Sequence, residues 1–222
     1  MKYSVSAACL KQAAFEDNVL ALLDYPVTDL HCDYFPELDT APSLSLDQLD
    51  WCLRNWPREL TIHLWGSTGL RQLPESAERG RLLVQLHGCS DEQLRIISIA
   101  AQSNCRTGIS VSPELARPVV ESMTLPVTAV QVLATSTPGF PGGSFLPAAW
   151  DALAELGRLR SARRADWKIE VDGGVTESVL AELADRCDLG VIGSNYLREH
   201  PTTGRWVPDR LLEGTCSTVS LT

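Results

Sequence analysis

Eight short runs rich in β-branched and other apolar residues recur along this chain, at 2–6, 27–33, 59–64, 83–87, 105–110, 127–133, 167–172 and 188–192. Longer stretches with helical spacing lie between them, such as Phe15, Val19, Leu20, Leu22 and Leu23 after the first run and Val179, Leu180, Leu183 and Ala184 after the seventh. Strand followed by helix, eight times over, predicts an α/β fold of the closed (β/α)8 TIM-barrel type. A doubly wound open sheet is the alternative, but it starts on a Gly-rich turn, and Ser4-Val-Ser-Ala-Ala-Cys9 has none. The segment between 64 and 83 is the least regular, because Gly66, Gly69, Pro74 and Gly80 interrupt it. At 222 residues a barrel takes up the whole chain, so one domain is expected over 1–222, with a poorly ordered polar tail at 214–222.

A barrel gathers its chemistry at the C-terminal rim of its strands. Three predicted strands end there on side chains that bind metals or move protons: His31 and Asp33 on the second, His63 on the third, Asp172 on the seventh. His31 and Asp33 are two residues apart on one strand and share a face, which turns Cys32 outward. Alone, His31 or Asp33 reads as a buried polar group held by hydrogen bonds. Together, two imidazoles and two carboxylates suit one divalent ion, with the carboxylates also able to carry protons. His87 also ends a strand and reads as a neighbour or core histidine; His200, directly before Pro201, reads as surface.

Two glycine-containing turns follow the last strands, Gly173-Gly174 and Gly193-Ser194, where barrels often bind phosphate. The Pro- and Gly-rich run Thr137–Phe145 after the sixth strand is long for its place, and long loops at a barrel rim often close over ligand. The net charge of −9 speaks against nucleic acid or an anionic membrane as partner, since both select basic surfaces. It leaves a phosphorylated small molecule open, because backbone N–H groups hold phosphate without Lys or Arg. Seven scattered cysteines with no CxxC pair give neither a disulfide framework nor a cysteine zinc site. With no apolar run near ~20 residues and strand-like sequence from Lys2 leaving no room for a signal peptide, the expected location is the cytoplasm.

These motifs resemble those of the ribulose-phosphate 3-epimerase family, ribulose-phosphate-binding barrels that invert C3 of ketose phosphates. Tyr3-Ser-Val-Ser-Ala7 looks like its opening strand, with Ser4 at the ligand-binding serine. His31-Cys-Asp33 is similar to its second-strand His-x-Asp, and His63-Leu64 to its third-strand histidine. Pro138-Gly-Phe-Pro-Gly142, Glu170-Val-Asp-Gly-Gly-Val175 and Gly193-Ser194 resemble its later motifs. The resemblance implies that His31, Asp33, His63 and Asp172 ligate one divalent ion, zinc, iron(II) or manganese. It implies Asp33 and Asp172 as the catalytic proton carriers on the two faces of an enediolate. Phosphate is then expected over the amides of Gly142, Gly173, Gly174, Gly193 and Ser194, with Ser4 nearby and a helix N-terminus after Ser194. A homo-oligomer is the family's usual state.

The chain departs from the pattern at Tyr34-Phe-Pro-Glu37, at Trp65, at Pro141-Gly-Gly143 and at Ala134. Phe35, Trp65 and Ala134 stand where methionines line the reacting carbons in the family, and are expected to reshape the pocket. D-Ribulose 5-phosphate, interconverted with D-xylulose 5-phosphate, is the default substrate, with allulose 6-phosphate or another ketose phosphate as alternatives. Another phosphate-binding barrel enzyme, an isomerase or decarboxylase, and a non-catalytic sugar-phosphate-binding barrel complete the set.

Overall fold

In a computed structural model, which describes residues 1–10, 12–36, 43–65, 72–86, 95, 97–98, 106–122, 127–137, 140, 142–199 and 206–208, eight parallel strands close into a barrel in chain order. They are β1 (Lys2–Ser6), β2 (Asp29–Tyr34), β3 (Glu59–Leu64), β4 (Arg81–Leu86), β5 (Arg106–Val111), β6 (Ala129–Leu133), β7 (Lys168–Asp172) and β8 (Leu189–Ile192). β8 closes on β1, with Lys2 opposite Leu189 and Val5 opposite Ile192. This is the (β/α)8 barrel that the alternation predicts.

The described helices are α1 (Phe15–Ala21), α2 (Leu46–Asn55), α3 (Ala116–Ser122), α4 (Ala148–Arg163) and α5 (Glu177–Leu183). α2 has a capping box: Ser45 Oγ accepts the N–H of Gln48, and Gln48 Oε1 accepts the N–H of Ser45. Its Leu49, Cys52 and Leu53 turn inward. Where Pro74 and Gly80 were expected to interrupt a helix, only a 3-10 turn, Glu75–Arg79, forms between them. On α1 Leu20 departs from its predicted face and stands 42% exposed, while Phe15 and Val19 are buried. No helix among the described residues is long and apolar enough to cross a membrane. The four cysteines described, Cys9, Cys32, Cys52 and Cys187, are free thiols.

Strand side chains alternate between two environments. Val5, Leu30, Cys32, Ile62, Val84, Ile109, Val132, Val171 and Ile192 point outward and pack with the helices in one apolar core. Each fully buried Val, Leu or Ile contributes roughly 1.5–3 kcal/mol. The inward positions are largely polar. Ser4 Oγ donates to Asp29 Oδ1 at 2.5 Å and Thr61 Oγ1 to Asp29 Oδ2 at 3.0 Å. Arg81 makes a two-pronged ion pair with Glu170, at 2.5 and 2.8 Å, and its Nη2 also donates to Thr61 Oγ1 at 2.7 Å. This network ties β1, β2, β3, β4 and β7 together inside the barrel, directly beneath the rim side chains.

Candidate metal and proton-transfer site

Two residues further along β1, β3 and β7, two and four further along β2, and four further along β4, the same inward faces carry Ser6, His63, Asp172, His31 with Asp33, and Gln85. One ligand atom from each of His31, Asp33, His63 and Asp172 lies within 4.8 Å of the others, a group that could hold a metal ion. His31 Nε2, His63 Nδ1 and Asp33 Oδ1 form a triangle with all three sides 3.2 Å. Asp172 Oδ2 stands 3.7 Å from His31 Nε2 and 3.9 Å from His63 Nδ1. A tetrahedral ion with bonds of about 2.0–2.1 Å separates its ligands by about 3.4 Å. The donor set therefore fits a small divalent cation in number, type and spacing.

The surroundings orient these atoms. Ser6 Oγ donates to Asp33 Oδ2 at 3.1 Å, leaving Oδ1 to face the imidazoles. His63 Nε2 meets Gln85 Oε1 at 3.1 Å. The Phe35 ring stands edge-on to His63 with centroids 5.6 Å apart, and Trp65 backs Phe35 at 5.2 Å. His31, Asp33 and His63 are buried, whereas the Asp172 side chain keeps 19% of its surface open.

In the protein without metal the two carboxylates diverge. Burial alone raises the Asp33 carboxyl, but His31 and then His63 outweigh it and hold it well below the usual range. Burial raises Asp172, and repulsion from Asp33 adds to it against the pull of His31 and His63. Burial opposes a charge on His31, yet Asp33, Asp172 and Asp29 together lift its pKa to about 9. One carboxylate is ionised and the other is pushed towards keeping its proton.

Asp33 and Asp172 both open onto a cavity of about 250 Å³ whose walls include Ser6, Cys9, Leu133, Thr135 and Phe140. Its far side is glycine: Gly142, Gly173, Gly174 and Gly193, with Ser194 and Asn195. Gly142, Gly173 and Gly174 take φ of +82°, +97° and +64°, and left-handed backbone turns its N–H groups into an anion-binding concavity. At Gly174 an added Cβ would also collide with the backbone of Ser144 and Phe145.

Several expectations meet the structure differently. Ser4 does not reach the cavity, being held by Asp29 below it; Ser6, on the same face and one layer higher, does. Among the described residues no helix starts after Ser194. A turn closed by Tyr196 N–H on Gly193 C=O leads into β9 (Leu197–Glu199), which pairs with β10 (Trp206–Pro208). Phe35, Trp65 and Ala134 do not line the cavity; Leu133 and Thr135 are the β6-side walls. His87, Pro138, His200 and the tail from 214 lie outside the described residues. Gln85 is not among the residues predicted from sequence, although a lone polar residue inside Leu82-Leu-Val-Gln-Leu86 is a signal for it.

The profile of the ribulose-phosphate 3 epimerase family matches residues 6–197, beginning at Ser6 and leaving Ser4 outside. Ribulose-phosphate 3-epimerase of Escherichia coli (strain K12) is 27% identical over 208 residues, spanning 87% of this chain and 89% of that protein. The enzyme of the same name from Serratia marcescens is 27% identical over 185 residues, spanning 80% and 84%. In fold alone, the chain is similar to monomers of phosphoribosylanthranilate isomerase from Thermotoga maritima, with a TM-score of 0.59, 14% identity and coverage of 96% and 99%. It is likewise similar to tryptophan synthase from Mycobacterium tuberculosis, with a TM-score of 0.62, 15% identity and coverage of 88% and 83%.

Proposed function

The chain belongs to the ribulose-phosphate 3 epimerase family, and from that premise we propose that it inverts C3 of a ketose phosphate, with D-ribulose 5-phosphate to D-xylulose 5-phosphate the first reaction to test. The observation that carries this reading is the pair of carboxylates. Asp33 on β2 and Asp172 on β7 enter one cavity from opposite sides of β1. Inversion needs a proton taken from one face of a planar enediolate and returned to the other. Two carboxylates on opposite sides of one substrate supply both, sharing a single proton between them.

Each residue has a task in this scheme. Asp33 stays ionised against two imidazoles, with the Ser6 hydroxyl holding its second oxygen. Asp172, more open to the cavity, is the carboxyl poised to hold the proton. His31, Asp33, His63 and Asp172 would hold a divalent cation, which would supply Lewis-acid stabilisation of the enediolate. Zinc, iron(II) and manganese(II) all accept two nitrogens and two carboxylate oxygens. The amides around Gly142, Gly173–Gly174 and Gly193–Ser194 receive the phosphate, which the positive φ values and the glycine wall of the cavity support.

Proton NMR of D-ribulose 5-phosphate in D₂O, with purified protein and added divalent metal, tests the reading. The expected result is loss of the C3 proton signal as D-xylulose 5-phosphate grows. Exchange absent there but present with allulose 6-phosphate moves the substrate to a hexulose phosphate. Sugar phosphate bound with no exchange in either case replaces an enzyme with a binding barrel.

A further inference from the structure

We propose that Gln85 is a positioning residue for the metal centre: it fixes His63 as the Nε2–H tautomer, so that the bare Nδ1 faces the donor cluster. The inference rests on the metal-site reading above and adds to it a residue on β4 that supplies no ligand.

The end of the Gln85 amide that faces the imidazole decides the tautomer. Gln85 is 4% exposed and His63 1% exposed, so water is not available to satisfy either. Gln85 Nε2 donates to the Leu86 carbonyl at 3.3 Å, and a carbonyl can only accept. That contact points the amide oxygen at His63, where it lies 3.1 Å from Nε2. An oxygen acceptor there needs a proton on Nε2. A neutral imidazole has one N–H, so Nδ1 is left with its lone pair.

That lone pair is where the chemistry needs it. Nδ1 is the atom 3.2 Å from both His31 Nε2 and Asp33 Oδ1. Without Gln85 the preference reverses. Asp33 Oδ1, 3.2 Å from Nδ1, competes with Gln85 for the single proton. With Gln85 gone it is the acceptor left to His63, the proton goes to Nδ1, and the position a cation needs is blocked. Partners on the remote nitrogen of a metal-ligating histidine commonly change metal affinity by about 10–100-fold when removed.

The test compares wild type, Gln85→Met and Gln85→Glu. Methionine fills similar volume with no oxygen acceptor, while glutamate restores an acceptor opposite Nε2. Two quantities are read: the His63 tautomer by ¹⁵N–¹H correlation in metal-free protein, and zinc affinity by chelator competition. Wild type is expected as Nε2–H. Gln85→Met is expected to shift to Nδ1–H and to lose about 10–100-fold in zinc affinity, and Gln85→Glu to recover both. A core amide with only a structural role would lower the melting temperature without moving the tautomer. Unchanged tautomer and zinc affinity in Gln85→Met overturns the inference, as does a wild-type His63 found as Nδ1–H. Should wild type bind no zinc, the metal-site reading fails, and the tautomer spectrum still decides the part played by Gln85. If Gln85→Met does not fold, the wild-type spectrum and Gln85→Glu decide it.

Discussion

Ser6 Oγ holds Oδ2 of Asp33 at 3.1 Å while Oδ1 of the same carboxylate meets His31 and His63 at 3.2 Å each. The two oxygens of Asp33 therefore have separate duties, one towards β1 and one towards the imidazoles. A hydroxyl donating to an ionised carboxylate makes a charge-assisted bond that limits its rotation. Ser6→Ala is expected to lower kcat by about 10- to 100-fold, the worth of one such bond. Zinc affinity should stay within a few-fold, since all four ligand atoms remain. A variant with normal kcat would show that Asp33 is held well enough by the histidines alone.

Asp172 stands farther from the imidazoles than Asp33 does, and one side of it opens to the cavity. Asp172→Asn keeps the shape and a possible oxygen ligand but removes the titrating group. Loss of a positioned acid or base costs about 10²–10⁴ in rate. We expect C3 inversion to fall by at least that factor while sugar-phosphate binding, followed by calorimetry, is retained. Near-normal turnover would remove Asp172 from proton transfer.

The alternation of strand and helix was enough to place all eight barrel strands, yet their ends were not legible. β4 was expected from Leu83 and begins at Arg81. A local window reads arginine as solvent-facing. Here it is paired to Glu170, 89 positions away, and lies in register with Thr61. The site was legible where it obeys local rules: His31 and Asp33 share a face because they are two apart, and strand ends meet at a rim. Ser6 against Ser4 was a question of layer height, which depends on how strands are staggered around the barrel. The contact between His63 and Gln85 depends on the same stagger between β3 and β4. A single strand carries no trace of it.

Gly174 follows β7 at φ +64°, with Ser144 and Phe145 backbone packed where a Cβ would go. Two penalties combine there, a left-handed backbone and a steric collision. Gly174→Ala is expected to weaken inorganic phosphate binding and to lower the melting temperature by several degrees, equivalent to about 1–3 kcal/mol. Phosphate titration and thermal unfolding on the same sample check both effects. An unchanged phosphate affinity would move the anion site away from this turn.

Stability of the metal-free protein should depend on pH through His31. Burial works against its charge, but Asp33, Asp172 and Asp29 prevail and raise its pKa from 6.5 to about 9. A histidine raised on folding stabilises fully below its unfolded pKa, and that contribution disappears as pH rises through the folded value. For a shift of this size it is on the order of 3 kcal/mol. The urea midpoint of chelator-treated protein is expected to fall between pH 7 and pH 9.5, and His31→Gln should flatten the fall. Zinc displaces the same proton, so its affinity should rise across that interval. Asp33 acts at the other end. Its contribution is present above about pH 4 and is lost as the pH drops towards its lowered folded value.

Glu170 belongs to the same strand motif as Asp172, but its partner is Arg81 and its role is to hold the barrel interior together. Both are buried, and the two-pronged pair lies one layer beneath the donor cluster. Glu170→Gln leaves the arginine charged without its paired carboxylate, and breaking a buried pair in this way costs about 3–5 kcal/mol. Urea denaturation should register that loss as a lower midpoint, while kcat of the folded protein at low temperature changes little. Replacing both partners, Arg81→Met with Glu170→Leu, removes the stranded charge and is expected to recover much of the stability. If Glu170→Gln is as stable as wild type, water reaches Arg81 and the pair is not what fixes the layer below the site. If instead kcat falls with stability intact, Glu170 acts on the chemistry through Asp172 and the division between the two layers is wrong.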